Sequence, residues 1–362
     1  MIRYAYIHIP FCKRKCRYCS FVSGINIKTK KQYIKALLTE IKQRYNKKPL
    51  KTLYLGGGTP SLLDANEIEE ILSLFKFYKN PEITIEVNPE TVELSKFLRL
   101  KEIGVNRLSL GIQTFNNNIL KIIGRNHTED TIYNAIEIIK QAGFKNISID
   151  LIYGLPEQNV DLLKEDLNKV IKLDIQHISL YGLKIEENSY FYKNIPNNIP
   201  NEDIQVEMFL YICKYLQENE FEHYEISNFS KKGYKSKHNC AYWKNKNYYG
   251  FGLNASGFEE NIRYRNTKMI KEYLNNPLKR EEEYQLSKQE NMENEIFLAL
   301  RLKEGIKISN INKKYNIDFE EKYKKIIDKY KKIDLLSINK ERCFLTEKGF
   351  LLSNEIMSEF ID

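Results

Sequence analysis

The sequence of 362 residues has six cysteines and one tryptophan. Six cysteines over this length are too few for a disulfide scaffold. Three of them fall within eight residues, which in a reducing compartment favours metal over disulfide. No apolar run approaches the ~18 residues that would read as a membrane span, and Met1 leads straight into a strand-like run without a signal-peptide pattern. The expected compartment is the cytoplasm, with peripheral membrane contact left open. Blocks of like charge are also missing: the formal net charge of +9 comes from lysines scattered among acidic neighbours. That pattern reads as a solvated basic surface and not as a nucleic-acid site. What the chain does have is 42% hydrophobic content, enough for a sizeable core, and a length that at ~150 residues per domain implies about two domains.

The first half repeats itself. LKEIGVNRLSLG (100–111) and IKQAGFKNISID (139–150) align position for position as an amphipathic helix end, a glycine, an apolar residue and an alternating strand. Gly104 and Gly143 stand where a helix ends in a left-handed residue. Upstream of the second joint, Ile132, Ala135, Ile136 and Ile139 recur at helical spacing behind Thr128, a good N-cap. Further strands are expected at 4–9, 52–58, 83–89 and 177–183, separated by helical stretches. Six βα units require parallel pairing, so the fold class is α/β, with a full or partial (β/α) barrel or an open parallel sheet. Polar and glycine-rich residues gather just past the strand ends, where such folds bind ligands. Past about residue 200 the rhythm stops. A helix (about 203–218) leads to an aromatic tract, HNCAYWKNKNYYGFGLNASGF (238–258), and helices from about 287 precede a hairpin-like stretch (335–349). The expected divisions are a core at 1–200, a connecting segment at 201–286 and a small winged-helix-like domain at 287–362.

The three crowded cysteines, Cys12, Cys16 and Cys19, have C-x3-C-x2-C spacing. Three thiolates from one loop can reach three corners of a cubane 4Fe-4S cluster and leave the fourth iron open. A structural zinc site would want a fourth ligand, and none lies close by, His8 being better placed as a strand-end residue. Cys213, Cys240 and Cys343 are isolated and read as small core residues. After the next strand, YLGGGTP (54–60) offers three successive glycines, which open the backbone to close approach by a ligand.

The cysteine loop and the glycine run together resemble the radical S-adenosylmethionine (SAM) superfamily. In that superfamily the open iron is chelated by the amino and carboxylate groups of SAM, and an electron from the cluster cleaves the sulfonium bond. The resemblance implies a partial (β/α)6 TIM-like barrel with a C-terminal α+β domain. It is closer still to the branch that contains the oxygen-independent coproporphyrinogen dehydrogenase HemN and the haem chaperone HemW, and it covers nearly the whole chain. Tyr6, Tyr18, Gly57, Gly58, Thr59, Glu86, Gln113, Arg125 and Asp150 fall where that branch contacts SAM. Tyr18 suits an adenine, Glu86 a ribose or ammonium, and Arg125 a carboxylate.

Two departures argue against porphyrinogen decarboxylation. The cluster loop begins at residue 8 without the dehydrogenase's N-terminal extension, and Phe21 stands where that enzyme has a further cysteine. Instead His238, Asn239, Tyr242 and Trp243 match the HNxxYW motif of the HemW haem chaperones, with Cys240 between them. An imidazole can ligate haem iron, and Tyr and Trp offer faces for a flat macrocycle. The expected function is a haem chaperone that binds haem and a SAM-ligated 4Fe-4S cluster and hands haem to an acceptor protein. The alternatives are a coproporphyrinogen III dehydrogenase, a haem-modifying radical SAM methyltransferase, and a zinc-stabilised barrel whose wing module binds nucleic acid.

Overall fold

The structure, a computed structural model, describes residues 1–24 and 26–361. Its chain divides into two compact units, residues 1–209 with 247–284 and residues 210–246 with 285–362. In the first unit, β1 (Tyr4–Ile9), β2 (Leu50–Gly57), β3 (Phe77–Val87), β4 (Arg107–Gln113), β5 (Ile147–Tyr153) and β6 (His177–Gly182) pair in parallel and in chain order. Six helices occupy the connections between strands: α1 (Lys30–Arg44), α2 (Ala65–Ser73), α3 (Leu94–Glu102), α4 (Asn117–Ile122), α5 (Glu129–Gln141) and α6 (Val160–Lys172). This is the α/β architecture expected of six βα units.

The two sequence-similar joints are built alike. Gly104 and Gly143 have φ of +103° and +83°, conformations costly for any residue with a Cβ. The next N–H reaches back to a helix carbonyl, Val105 to Leu100 at 3.0 Å and Phe144 to Ile139 at 3.3 Å. Orphaned helix carbonyls are satisfied just as the chain turns into a strand. Thr128 caps α5 as expected, and Ile132, Ala135, Ile136 and Ile139 form its buried face.

Strand alternation then divides the sheet into two faces. Ile7, Leu53, Leu55, Ile85, Leu108, Leu110, Ile149 and Leu151 are buried on one. The alternate positions carry Tyr6, Tyr54, Thr84, Glu86, Arg107, Ser109, Ser148, Asp150, His177 and Ser179. The second face is therefore polar along its length, and Thr84, Arg107, Ser109, Ser148, His177 and Ser179 on it are buried.

A strand not anticipated from the sequence, Tyr249–Phe251, pairs in parallel with β1. Three residues are too few for alternation to show. Its segment is tied to α1 through Glu40, which is fully buried. One oxygen of Glu40 accepts from Arg44 Nη1 (2.6 Å) and Asn266 Nδ2 (2.8 Å), and the other from Gly252 N–H (2.8 Å) and the Tyr273 hydroxyl (2.7 Å). All these partners lie in the first unit.

In the second unit, Glu222–Glu225 and Asn228–Ser230 form a hairpin, followed by the helix Lys237–Trp243. Farther along, Ile306–Lys307 and Leu336–Ile338 both pair antiparallel with Arg342–Leu345, around the helices Ile308–Tyr315 and Lys324–Lys332. The hairpin expected near 335–349 is present, in a winged-helix-like arrangement. Among the described residues no helix is long and apolar enough to cross a membrane.

Removing one partner of a buried, fully hydrogen-bonded ion pair costs about 3–5 kcal/mol. Glu40→Ala is therefore expected to lower unfolding stability by at least about 3 kcal/mol in urea titrations, with Glu40→Gln, which keeps acceptor capacity, costing less.

Candidate functional site

The parallel register brings the C-terminal ends of β1 to β6 to one edge of the sheet, where a cavity of about 500 Å³ opens. Its wall includes Cys12, Cys16, Tyr18, Cys19, Gly57, Gly58, Thr59, Glu86, Gln113, Arg125 and Asp150. All the residues expected at a cluster and SAM site are thus brought together except Tyr6. That tyrosine stands outside the lining, its hydroxyl 3.1 Å from His8 Nδ1 and its ring stacked on Tyr54.

The cysteine loop is pinned at several points. Cys12 N–H donates to Gly24 C=O (3.0 Å) and Gly24 N–H to Pro10 C=O (2.8 Å), which closes the loop on itself. Arg17 donates from its backbone to Ile123 C=O (3.0 Å) and from its side chain to Ile122 C=O (3.0 Å). Tyr18 packs on the apolar cluster of Ile119, Leu120, Ile123, Ile152, Leu155 and Phe191. Two thiols meet polar neighbours: Thr59 Oγ1 lies 3.7 Å from Cys12 Sγ, and Arg125 Nη1 lies 3.6 Å from Cys16 Sγ. Burial pushes the Cys19 thiol up, and the nearby Cys16 and Cys12 add to that rise. Among the described residues, no three His, Cys, Asp or Glu side chains converge on a position for a single metal ion.

The glycine run is explained differently from the expectation of backbone groups free for a ligand. Gly57 N–H donates to Glu86 Oε2 (2.9 Å), Gly58 N–H to Ile9 C=O (2.8 Å) and Thr59 N–H to Phe11 C=O (2.7 Å). These donors are spent within the protein. A Cβ on Gly56 would lie 2.9 Å from Glu86 Oε1, one on Gly57 2.5 Å from the His8 ring, and one on Gly58 2.6 Å from Phe11 C=O. Three glycines are needed because β1, β3 and the cysteine loop all press against this turn.

At the end of β4, Gln113 has φ of +65° beside an irregularity in the pairing with β5. Strain of this kind is concentrated at functional sites. Gln113 Oε1 accepts from Arg125 Nε (2.5 Å), while Arg125 Nη2 donates to Gly111 C=O (2.6 Å). The guanidinium is thereby held rigidly between β4 and Cys16.

Glu86 accepts from the Tyr54 hydroxyl (3.0 Å) and Gly57 N–H. Burial and then the neighbouring Asp150 push its carboxyl up to about 7, against the lowering effect of those hydrogen bonds and of Arg107. Asp150 accepts from Ser109 Oγ (3.1 and 3.0 Å) and Ser148 Oγ (3.3 Å). Burial raises it too, opposed by Ser179, Ser109, Arg107 and Ser148. Two carboxylates that resist ionisation, beside a fixed guanidinium and three thiols, suit a ligand that brings both a cationic and an anionic group. Tyr54, Arg107, Ser109, Ser148, His177 and Ser179 were missed as part of this network. The signal was present in polar residues at every second position of otherwise apolar strands, as in Arg107-x-Ser109 and His177-x-Ser179.

The HNxxYW residues lie in the second unit. His238 is buried, with Nε2 2.8 Å from the Tyr242 hydroxyl. Asn239, Cys240, Tyr242 and Trp243 are half-buried. The Arg301 guanidinium lies over the Trp243 ring at 4.6 Å, and Ser236 caps the helix through Asn239 N–H (3.3 Å).

The radical SAM superfamily profile matches residues 6–170 and the HemN C-terminal domain profile residues 286–352. A protein named heme chaperone HemW from Lactococcus lactis is 40% identical, covering 99% of this chain and 97% of that protein. The chain belongs to the HemW family. The Bacillus subtilis HemW is 32% identical over 99% and 98% of the two chains, and the Escherichia coli HemW 34% over 70% and 69%. The E. coli coproporphyrinogen III oxidase HemN shares the fold with a TM-score of 0.87 at 23% identity, covering 99% of this chain and 90% of that one. Membership in a HemW family with a radical SAM domain implies a 4Fe-4S cluster and SAM.

Glu86 gives a direct test of the cavity's electrostatics. The folded protein keeps a proton on Glu86 up to about pH 7, which the unfolded chain releases near 4.5, so stability falls as pH rises through that window. Glu86→Gln in the apo protein is expected to flatten the slope. It should exceed wild-type stability at pH 8 by up to about 3 kcal/mol, read by thermal melts across pH 4–8.

Proposed function

We propose that this chain is a haem chaperone that holds a SAM-ligated 4Fe-4S cluster, binds haem at a separate site and passes it to an acceptor protein. The observation that carries the reading is the single cavity in which three thiols meet Arg125, Gln113, Glu86 and Asp150. The relatives named heme chaperone HemW, 40% and 32% identical over nearly full length, favour haem transfer over porphyrinogen oxidation or haem methylation.

The donor set fits the cluster. Cys12, Cys16 and Cys19 share one short loop and all line the same cavity, as three thiolate ligands of one cubane must. Gly58 leaves the room this needs, since a Cβ there would come within 3.0 Å of Cys12 Sγ. Cys12, Cys16 and Cys19 would hold the cluster, whose open iron supplies an anchor for SAM and one-electron chemistry. Arg125, already oriented by Gln113 and Gly111, pairs with the SAM carboxylate. Glu86 and Asp150 accept from its amino N–H groups and its ribose hydroxyls. Tyr18 offers a ring to the adenine, while Gly57, Gly58 and Thr59 shape the wall, and Tyr6 acts from behind it by supporting Tyr54 and His8.

A cavity of about 500 Å³ is in the range that takes one drug-sized ligand. Cluster and SAM fill it, which leaves haem to a second seat. That seat is proposed at His238, Asn239, Tyr242 and Trp243, with His238 as iron ligand. Because His238 Nε2 is engaged by Tyr242, haem binding exchanges that hydrogen bond for an iron bond, and the helix Lys237–Trp243 has to loosen from its packing. Cys240 is the competing ligand in the same helix.

Anaerobic reconstitution is expected to load about four irons per chain with a broad charge-transfer absorption, both lost in the triple Cys→Ala variant at positions 12, 16 and 19. Bound zinc without iron contradicts the cluster. His238→Ala is expected to weaken haem binding and move the Soret band with iron and sulfide contents unchanged, whereas Trp243→Ala should weaken binding without altering the ligand spectrum. Cys240→Ser serves as the control, and a His238→Ala variant with wild-type haem affinity and spectrum contradicts the ligand assignment.

A further inference from the structure

Below the cavity, the polar face of the sheet holds a charge that the reading above does not use. Arg107, at the start of β4, is 2% exposed and stands in register with Thr84, two residues before Glu86 on β3. Two residues along β4, Ser109 donates to both oxygens of Asp150. Arg107 thus lies one side-chain step beneath Glu86 and two beneath Asp150, whose register partner is Gly111. Glu86 and Asp150 line the cavity, and Arg107 does not.

The other titratable groups on this face are Tyr4 and Tyr6 on β1, Tyr54 on β2, the buried Glu82 on β3, on the opposite side of Thr84 from Glu86, and His177 and Tyr181 on β6. Burial keeps Tyr6 and Tyr54 protonated. His177 is driven toward its neutral form first by burial and then by the charge of Arg107, and its Nδ1 lies 2.7 Å from Ser148 Oγ. The face therefore holds three carboxylates, Glu82 away from the cavity and Glu86 and Asp150 on it, and one guanidinium. A guanidinium removed from water is costly without opposite charge nearby. Two carboxylates without it would raise each other's affinity for protons.

We propose that Arg107 is a positioning residue for SAM, acting through Glu86 and Asp150 without touching the ligand, as the counter-charge that lets two carboxylates face one cationic ligand. The inference rests on the SAM reading above. It accounts for a buried arginine beneath a site whose ligand is itself cationic: the ligand neutralises the carboxylates from above only when bound, and Arg107 opposes the rise that burial imposes on both, so that they ionise within reach of neutral pH.

The test is SAM binding by equilibrium dialysis to reconstituted protein from pH 6.5 to 9, for wild type, Arg107→Met and Arg107→Lys, with iron content measured alongside. Arg107→Met is expected to weaken binding at pH 7 by about fivefold, the change in ionised fraction when a carboxylate titrating near pH 7 moves up one unit. The loss should fade toward pH 9, and Arg107→Lys should restore the wild-type profile. A loss independent of pH, or one that follows iron content, overturns the inference by assigning Arg107 a structural role only. If Arg107→Met fails to fold, the double variant Arg107→Met with Asp150→Asn is expected to recover a cooperative melt, because one of the two carboxylates facing the cavity no longer carries a charge; no recovery overturns it. Absence of SAM binding by wild type defeats the SAM reading itself, whereas wild-type binding with an unshifted Arg107→Met profile defeats only the role of Arg107.

Discussion

The cavity depends on one backbone contact. Past the ends of β1 and β2 the pairing continues for two more hydrogen bonds, from Gly58 N–H to Ile9 C=O and from Thr59 N–H to Phe11 C=O. The loop that carries Cys12, Cys16 and Cys19 therefore starts from a fixed position beside the glycine turn. Any side chain at Gly58 would push against Phe11 C=O at 2.6 Å and against Cys12 Sγ at 3.0 Å. The far end of the loop is fixed by Arg17 on the Ile122–Ile123 carbonyls, which also sets the start of the segment leading to Arg125. Thiols and guanidinium are thus positioned by the same few backbone groups. The arrangement is preorganised, as binding of a charged ligand requires.

The energetic counterpart is the polar face of the parallel sheet. Parallel strands covered by helices are ordinarily apolar on both faces, and here one face carries Glu86, Arg107, Asp150 and His177 with a set of hydroxyls. Burying these groups costs stability unless they are hydrogen-bonded, and the serine bonds to Asp150 and the Tyr54 and Gly57 bonds to Glu86 meet that need for the two carboxylates. The remaining imbalance, visible in the raised carboxyls, is what a cationic ligand relieves.

Much of this was legible from residue patterns. The six strands, the helix ends at Gly104 and Gly143 and the cap at Thr128 are local features, and local sequence determines them. The gathering of Cys12 with Glu86, Gln113 and Asp150 followed from parallel topology, which places strand ends at one edge, whereas Arg125, between α4 and α5, was reached only through the family resemblance. What was not legible depends on long-range contact. The strand Tyr249–Phe251 is too short to announce itself and exists because β1 offers an edge. The three glycines looked like a ligand cradle, but their neighbours show that they are required by packing. Tyr6 sits behind the wall because alternation points it at Tyr54 and His8, and the distance between face and cavity cannot be read from a strand pattern. The closure of His238 on Tyr242, four residues away on one helix turn, is local and could have been anticipated from i,i+4 spacing.

The separation of the two binding regions gives the account its central claim: SAM and the cluster occupy the cavity of the first unit, and haem is carried unchanged rather than transformed there. The most direct measurement incubates reconstituted protein with dithionite and SAM, in parallel with haem and with coproporphyrinogen III, and follows the mass of each tetrapyrrole together with 5′-deoxyadenosine. The account predicts that haem is recovered at its original mass and that coproporphyrinogen III is not converted. A tetrapyrrole of altered mass, formed over repeated turnovers, would contradict it.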